Sequence, residues 1–277
     1  MPENLGSPSP PHGIDSTVPH SARIWNYWLG GKDNYEVDRV AGDAYREIAP
    51  NIETMARASR AFLVRAVAFV ASELGVRQFL DIGTGLPAED NTHQVAQRVA
   101  PRSRIVYVDN DPLVLSHAAA LLRGGSEGVT DYVAADLHEP EKIIEAARKI
   151  LDFDKPVALM LMGILGHIQD YDEARSIVRR LLAALPSGSY FVHYDGTDTD
   201  ADLKKAQQGY DDTGAVPYVL RSPQQIEAFY QGLYLMEPGL VSCPLWRPEP
   251  GTNPQPTDVY GGVARLPPAI KDTDGAP

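Results

Sequence analysis

The chain has 277 residues, 43% hydrophobic and 22% charged, with a net charge of −12 at pH 7. This is the composition of an ordinary soluble globular protein, and its acidity argues against a nucleic-acid backbone as partner, which needs clustered Lys and Arg. The one cysteine, Cys243, excludes an internal disulfide and a cysteine-based zinc site.

Residues 1–19 are rich in Pro, Ser and Gly and read as a disordered tail. They lack the basic and apolar regions of a signal peptide, and no apolar run in the chain approaches the ~20 residues of a membrane span, so the expected location is the cytoplasm. Residues 20–75 form an N-terminal helical segment. Ile24, Tyr27 and Trp28 fall at helical spacing before a stop at Gly30-Gly31. Two more helices are expected over 36–48 and 51–74, the last with Phe62, Val67, Phe69 and Val70 buried. Gly30-Gly31-Lys32 is no phosphate loop, because it lacks the first glycine at the required spacing and the Ser or Thr after lysine.

From residue 76 to 266 short apolar runs alternate with helical patterns. Strands are expected at 76–82, 105–109, 129–134, 157–162 and 189–194, with helices near 92–100, 112–123, 140–151 and 170–185. Asp111-Pro112 reads as an N-cap followed by proline at the first helical position, and Gly124-Gly125 as the stop of that helix. Asp170 with Glu173 and Ser222 with Gln225 read as capping boxes, the second opening a helix over 222–231. Two final strands, 234–241 and 259–264, are joined by a proline-rich loop and should be antiparallel. Residues 267–277 form a loose tail. The expected fold is α/β, a Rossmann-like seven-stranded sheet, mostly parallel with an antiparallel last strand, helices on both faces and an N-terminal helical lid.

The first strand of this series ends in Asp81-Ile82-Gly83-Thr84-Gly85, where an open α/β sheet binds its ligand. Two cofactors compete for that turn. Gly83-x-Gly85-x-x-Ala88 matches a dinucleotide fingerprint, but Pro87, Glu89 and Asp90 follow, and two carboxylates beside a pyrophosphate would repel it. S-adenosyl-L-methionine has no phosphate, and its ammonium and sulfonium favour nearby acids. Asp81 would receive the ammonium, Asp109 both ribose hydroxyls and Asp136 the adenine amino group, while the backbone of Leu137 addresses the ring and Leu113 packs on its face.

These residues resemble the class I S-adenosylmethionine-dependent methyltransferases, with D-I-G-T-G at 81–85 and V-Y-V-D-N-D-P at 106–112 as the first two motifs. The likeness is closer still to an actinobacterial domain-of-unknown-function group named for S-adenosyl methyltransferase activity. It is carried by A-R-I-W-N-Y-W-L-G-G-K-D-N-Y at 22–35, S-R-A-F-L-V-R-A-V at 59–67, A-D-L at 135–137, P-L-W-R-P at 244–248 and Y-G-G-V-A-R at 260–265. The resemblance implies a seven-stranded sheet with a reversed last strand and a cofactor site at Asp81, Gly83, Thr84, Gly85, Asp109, Asn110, Asp136 and Leu137. The expected function is methyl transfer to a small-molecule O or N acceptor, with no nucleic-acid, membrane or metal partner and with self-association left open. A non-catalytic S-adenosylmethionine binder and an NAD(P)-dependent oxidoreductase are the competing readings.

His167, after the fourth strand, and His193, in the fifth, are the candidate catalytic bases, since an imidazole near its ordinary pKa suits proton abstraction from a hydroxyl. Arg57 or Arg60 would meet the cofactor carboxylate. Trp25, Tyr27, Trp28 and Tyr35 belong to the lid. Asn91 reads as a helix N-cap. Cys243 lies far from the fourth strand, and no Asp/Asn-Pro-Pro-Tyr signature is present, which disfavours both kinds of nucleic-acid base methylation.

Overall fold

The computed structural model describes residues 15–121 and 127–268. Residues 1–14 of the expected disordered tail, the helix stop at Gly124-Gly125 and the end of the chain from 269 lie outside the described residues.

Three helices come first: α1 (Ser21–Trp28), α2 (Glu36–Ile48) and α3 (Ile52–Ser72). The alternating series follows as β1 (Gln78–Ile82), α4 (Thr92–Val99), β2 (Arg104–Asp109), α5 (Pro112–Leu121), β3 (Val129–Ala134), α6 (Pro140–Ala147), β4 (Ala158–Met162), α7 (Tyr171–Ala183) and β5 (Tyr190–Gly196). After β5 come α8 (Ala201–Asp211), α9 (Pro223–Glu227), β6 (Tyr234–Leu235), β7 (Val241–Ser242) and β8 (Val259–Arg265). The caps fall where side-chain chemistry demands them. Asp111 Oδ1 accepts from Leu113 N at 2.8 Å, Asp170 caps α7, and Ser222 with Gln225 forms the reciprocal box before α9.

The sheet order is β3-β2-β1-β4-β5-β8-β6, with β7 also on β8. The first five strands are parallel, and β8 runs antiparallel to β5, β6 and β7, so the last strand is the one reversed. The single strand expected over 234–241 is two short ones. Pro238 offers no N–H to a ladder, and Gly239 turns the chain at φ +92°. The sheet therefore has eight strands, and the helix α8 lies where no element was expected.

Period-two alternation splits the core. Phe79, Ile105, Met160, Val192 and Tyr194 pack with α1–α4 and α8 on one face, and Leu80, Val106, Leu159 and Phe191 pack with α6, α7 and the 3-10 turn of Phe229 and Tyr230 on the other. The chain runs outward from β1 to β3, then returns to lay β4 and β5 on β1's other side. That topological switch between β1 and β4 opens a crevice at the carboxyl ends of both strands. No helix among the described residues is long and apolar enough to cross a membrane.

Candidate functional site

A cavity of about 430 Å³ fills this crevice, within the range of small-molecule sites. The ends of β1, β2 and β4 and the loop after β3 form its floor. Helix α1 and its C-cap roof it with Trp25, Trp28 and Leu29, and α8 adds Gln207 and Tyr210. The roof is fastened. Arg23 and Asp38 form a buried ion pair (2.9 Å), Arg23 also donates to the carbonyls of Asp15 and Val18, and His20 Nδ1 lies 3.2 Å from Asp111 Oδ2, beyond β2.

The two glycines of the β1–α4 turn serve different ends. Both have positive φ, +72° at Gly83 and +63° at Gly85. A Cβ on Gly83 would lie 2.4 Å from the Ile164 side chain, so this glycine lets the post-β4 turn close on the floor; a Cβ on Gly85 would meet nothing within 4 Å. Between them lies Thr84, a lining residue whose Oγ1 is buried and has no hydrogen-bond partner among the described residues. Helix α4 starts only at Thr92, after a loop that Arg60 grips. Arg60 Nη2 donates to Glu89 O (2.7 Å) and to Asn91 Oδ1 (3.1 Å). Asn91 is the N-cap of α4, as its sequence position suggests.

The three strand-end acids converge on the floor. Asp81 is 4% exposed and accepts from Thr92 Oγ1 at 2.7 Å. Burial pushes its carboxyl up to about 6, while the Thr92 hydrogen bond and the Arg60 charge hold it down. Asp109 accepts from Gly85 N (2.9 Å) on one oxygen and Asp111 N (3.0 Å) on the other, which fixes the carboxylate and leaves each oxygen a further lone pair. Burial raises its pKa against those two hydrogen bonds. Asp136 accepts from Asn110 Nδ2 (3.1 Å) and His138 N (2.9 Å). Asn110 and Leu137 line the same wall; Leu113 is buried off it.

The turn after β4 is strapped from below. Residues 165–167 form a 3-10 turn whose half-buried His167 lines the cavity. Its Nδ1 lies 3.0 Å from Pro217 O. A carbonyl can only accept, so Nδ1 carries the proton and Nε2 is the free base of the neutral ring; burial lowers the pKa and favours that neutral form. Val219 N donates to Gly166 O (2.7 Å), and the fully buried Arg221 donates to the carbonyls of Leu165 (2.8 Å) and Ile168 (2.6 Å). Arg221 Nη1 also pairs with buried Asp195 (3.3 Å), which takes the Tyr218 hydroxyl on its other oxygen.

His193 is not brought to this site. Strand alternation turns it to the opposite face, stacked on Phe191 (5.4 Å between centroids) and edge-on to Phe229, with neither ring nitrogen hydrogen-bonded among the described residues. Its neighbour Tyr194 takes the cavity side. Arg57 pairs with Glu53 on an exposed helix face, so of the two arginines only Arg60 lines the cavity. Tyr27 donates to Asp43 and Tyr35 lies against Arg23, outside the lining.

The sequence profile of the S-adenosyl methyltransferase family matches residues 7–267. The chain belongs to that family. Two solved structures cover nearly the whole fold of this methyltransferase. A DUF574-family protein of Streptomyces avermitilis is 44% identical, with a TM-score of 0.86 over 91% of this chain and 99% of its own. A candidate methyltransferase of Thermobifida fusca is 37% identical, with a TM-score of 0.87 over 94% and 100% of the two chains. An O-methyltransferase family protein of Burkholderia thailandensis shares the fold alone, at 14% identity and a TM-score of 0.50 over 80% and 62%. No curated protein matches the chain significantly.

Its cofactor is S-adenosylmethionine, and the residues present fit it. The floor offers carboxylates and no cluster of anion-binding cations, the Gly85 position is open, and the unpartnered Thr84 hydroxyl awaits a polar group. Asp81, Asp109, Asp136 and the backbone around Gly85 would hold it.

Proposed function

We propose that this S-adenosylmethionine-dependent methyltransferase methylates an oxygen or nitrogen of a small molecule held beneath α1 and α8, with His167 as proton acceptor. The observation that carries this reading is the roofed cavity itself. It is a concave site between the strand ends and two helices, which suits a small molecule better than a polymer passing through.

When bound, S-adenosylmethionine supplies a methyl group already activated on a sulfonium; the C–S bond pair stays on sulfur, leaving S-adenosylhomocysteine. The chain's own residues then have two tasks. Positioning is the larger one, since an activated methyl needs alignment with the acceptor lone pair. Removing the acceptor's proton is the other, and the free Nε2 of neutral His167 suits it. Asp81 would hold the cofactor's ammonium and Asp109 its ribose.

Incubating the full chain with methyl-labelled cofactor and a cell extract tests this. Label is expected in the small-molecule fraction, and His167→Asn is expected to lower turnover about 100-fold with S-adenosylhomocysteine affinity unchanged. Label confined to protein or nucleic acid would overturn the small-molecule reading, and unaltered turnover would remove His167 from it.

A further inference from the structure

The cavity is divided by charge. Its Asp and Arg side chains, the three strand-end acids and Arg60, all belong to the floor; among the lining residues there is no Lys or Glu. Arg60 is already committed to Glu89 and Asn91. The ionised pair of the roof, Arg23 with Asp38, is spent on itself and lies outside the lining, and His20, which does line the cavity, is taken by Asp111. A carboxylate, phosphate or ammonium held against the rings of Trp25, Trp28, Tyr45 and Tyr210 would lose its hydration without an ionised partner.

The roof consists instead of linked rings. Trp25 and Trp28 stand edge to face at 6.0 Å, Trp28 and Tyr45 lie at 5.0 Å, and Tyr45 meets Tyr210 edge to face at 6.2 Å. All four line the cavity. A flat aromatic molecule extends such a series through further offset or edge contacts, and a saturated one of equal area does not.

One polar group at the border of the two ends is unspent. Tyr194 is 7% exposed, lines the cavity, and its hydroxyl makes no hydrogen bond among the described residues. The ring packs edge-on to Phe62 at 6.1 Å and lies over Gly163, where a Cβ would sit 3.5 Å from Oη. Arg60 and Asp81 are among its charged neighbours, and burial keeps the phenol protonated. It is a hydrogen-bond donor at the place where the post-β4 turn meets the cofactor floor.

We infer that the acceptor is an uncharged, flat aromatic molecule bearing a hydroxyl, its ring against Trp25, Trp28 and Tyr45 and its hydroxyl oxygen on Tyr194. This deepens the methyl-transfer reading and rests on it for the site.

Calorimetry on the full chain saturated with S-adenosylhomocysteine tests the inference. The probes are phenol, 2-naphthol and 3-hydroxyflavone, the first two each with its carboxylate counterpart and all three with ring-saturated counterparts. At least one aromatic hydroxyl compound is expected to bind ten or more times tighter than its counterparts. Tyr194→Phe keeps the ring and is expected to weaken that binding about fivefold, the worth of one hydrogen bond of about 1 kcal/mol, without changing S-adenosylhomocysteine affinity. Trp25→Leu is expected to narrow the gap between aromatic and saturated probes. Binding of none of the three, preference for a carboxylate, equal binding of a saturated ring, or an indifferent Tyr194→Phe would overturn the inference. Selective binding of the aromatic hydroxyl without methyl transfer from labelled cofactor would uphold this binding class and sink the enzyme reading instead.

Discussion

Asp81 is the residue on which the floor turns. The sequence places it at the end of an apolar strand, and strand alternation decides that it shares Phe79's face, towards α3 and α4. Its folded pKa of about 6 lies above the ordinary carboxylate value of 3.8, so the folded chain binds its proton more tightly than the unfolded one. Stability therefore falls as pH rises through the window from about 4 to 6, and by pH 7 the buried charge costs about 2–3 kcal/mol. Asp81→Asn is expected to raise the urea midpoint at pH 7.5, with the gain gone near pH 4. The same variant should weaken S-adenosylhomocysteine binding at least tenfold at pH 7.5, and wild-type affinity should fall as pH drops below about 6, where the carboxylate is lost. Wild-type affinity flat from pH 5 to 8 would contradict an ammonium contact at Asp81. At this scale the sequence was informative about acids at strand ends and ambiguous about neighbours. His193 and Tyr194 are adjacent letters, and only the run Tyr190, Val192, Tyr194, read at period two against the apolar face, tells which one looks into the cavity.

The segment 217–221 does the work of an element without being a helix or a strand. Pro217, Val219 and Arg221 each bind the 3-10 turn of His167, and Arg221 also neutralises Asp195. Arg221→Met would take the guanidinium from buried Asp195, which keeps the Tyr218 hydroxyl and His193 Nε2 at 3.8 Å, and would leave the Ile168 carbonyl without its side-chain donor and the Leu165 carbonyl with Ile168 N alone, at an expected cost of about 3–5 kcal/mol, read as a lower urea midpoint. Replacing Asp195 by Asn in the same chain should restore part of that loss, because it removes the orphaned charge. A loss no larger than that of an exposed arginine would show that the strap bears no strain. None of this was visible in the sequence, where residues 213–221 look like an ordinary loop; an arginine's role there depends on contacts some fifty residues away. Helix α8 was missed for a related reason. Its buried face is Leu203, Ala206, Gln207 and Tyr210, with too few apolar residues to register as periodic. The inner parallel strands β1, β2, β4 and β5, by contrast, were legible because burial on both faces demands near-continuous apolar runs.

Across the whole molecule, the N-terminal helices share a core with the sheet. Ile24, Trp28, Ala41 and Tyr45 join Phe79, Ile105 and Met160 in one buried cluster. Each large side chain removed from that cluster forfeits about 1.5–3 kcal/mol. A chain starting at residue 51 is accordingly expected to melt at markedly lower temperature and to bind a hydrophobic dye, as measured by calorimetry and dye fluorescence. An unchanged melting temperature would mean that α1 and α2 are an independent cover. The sequence indicated helices over the site but could not show that they complete the fold, since Trp28 is buried against Tyr45 of α2, which in turn meets Tyr210 of α8.

Cys243 carries a practical consequence. It is the chain's only thiol, it is fully buried beside β7, and burial raises its pKa well above the ordinary value. Maleimide reagents need an accessible thiolate, so the native sulfur is a poor target in the folded protein. A cysteine placed on the exposed face of α1 would then take a fluorophore selectively in an otherwise unaltered background. Movement of that helix as ligands enter and leave could be timed directly in stopped flow.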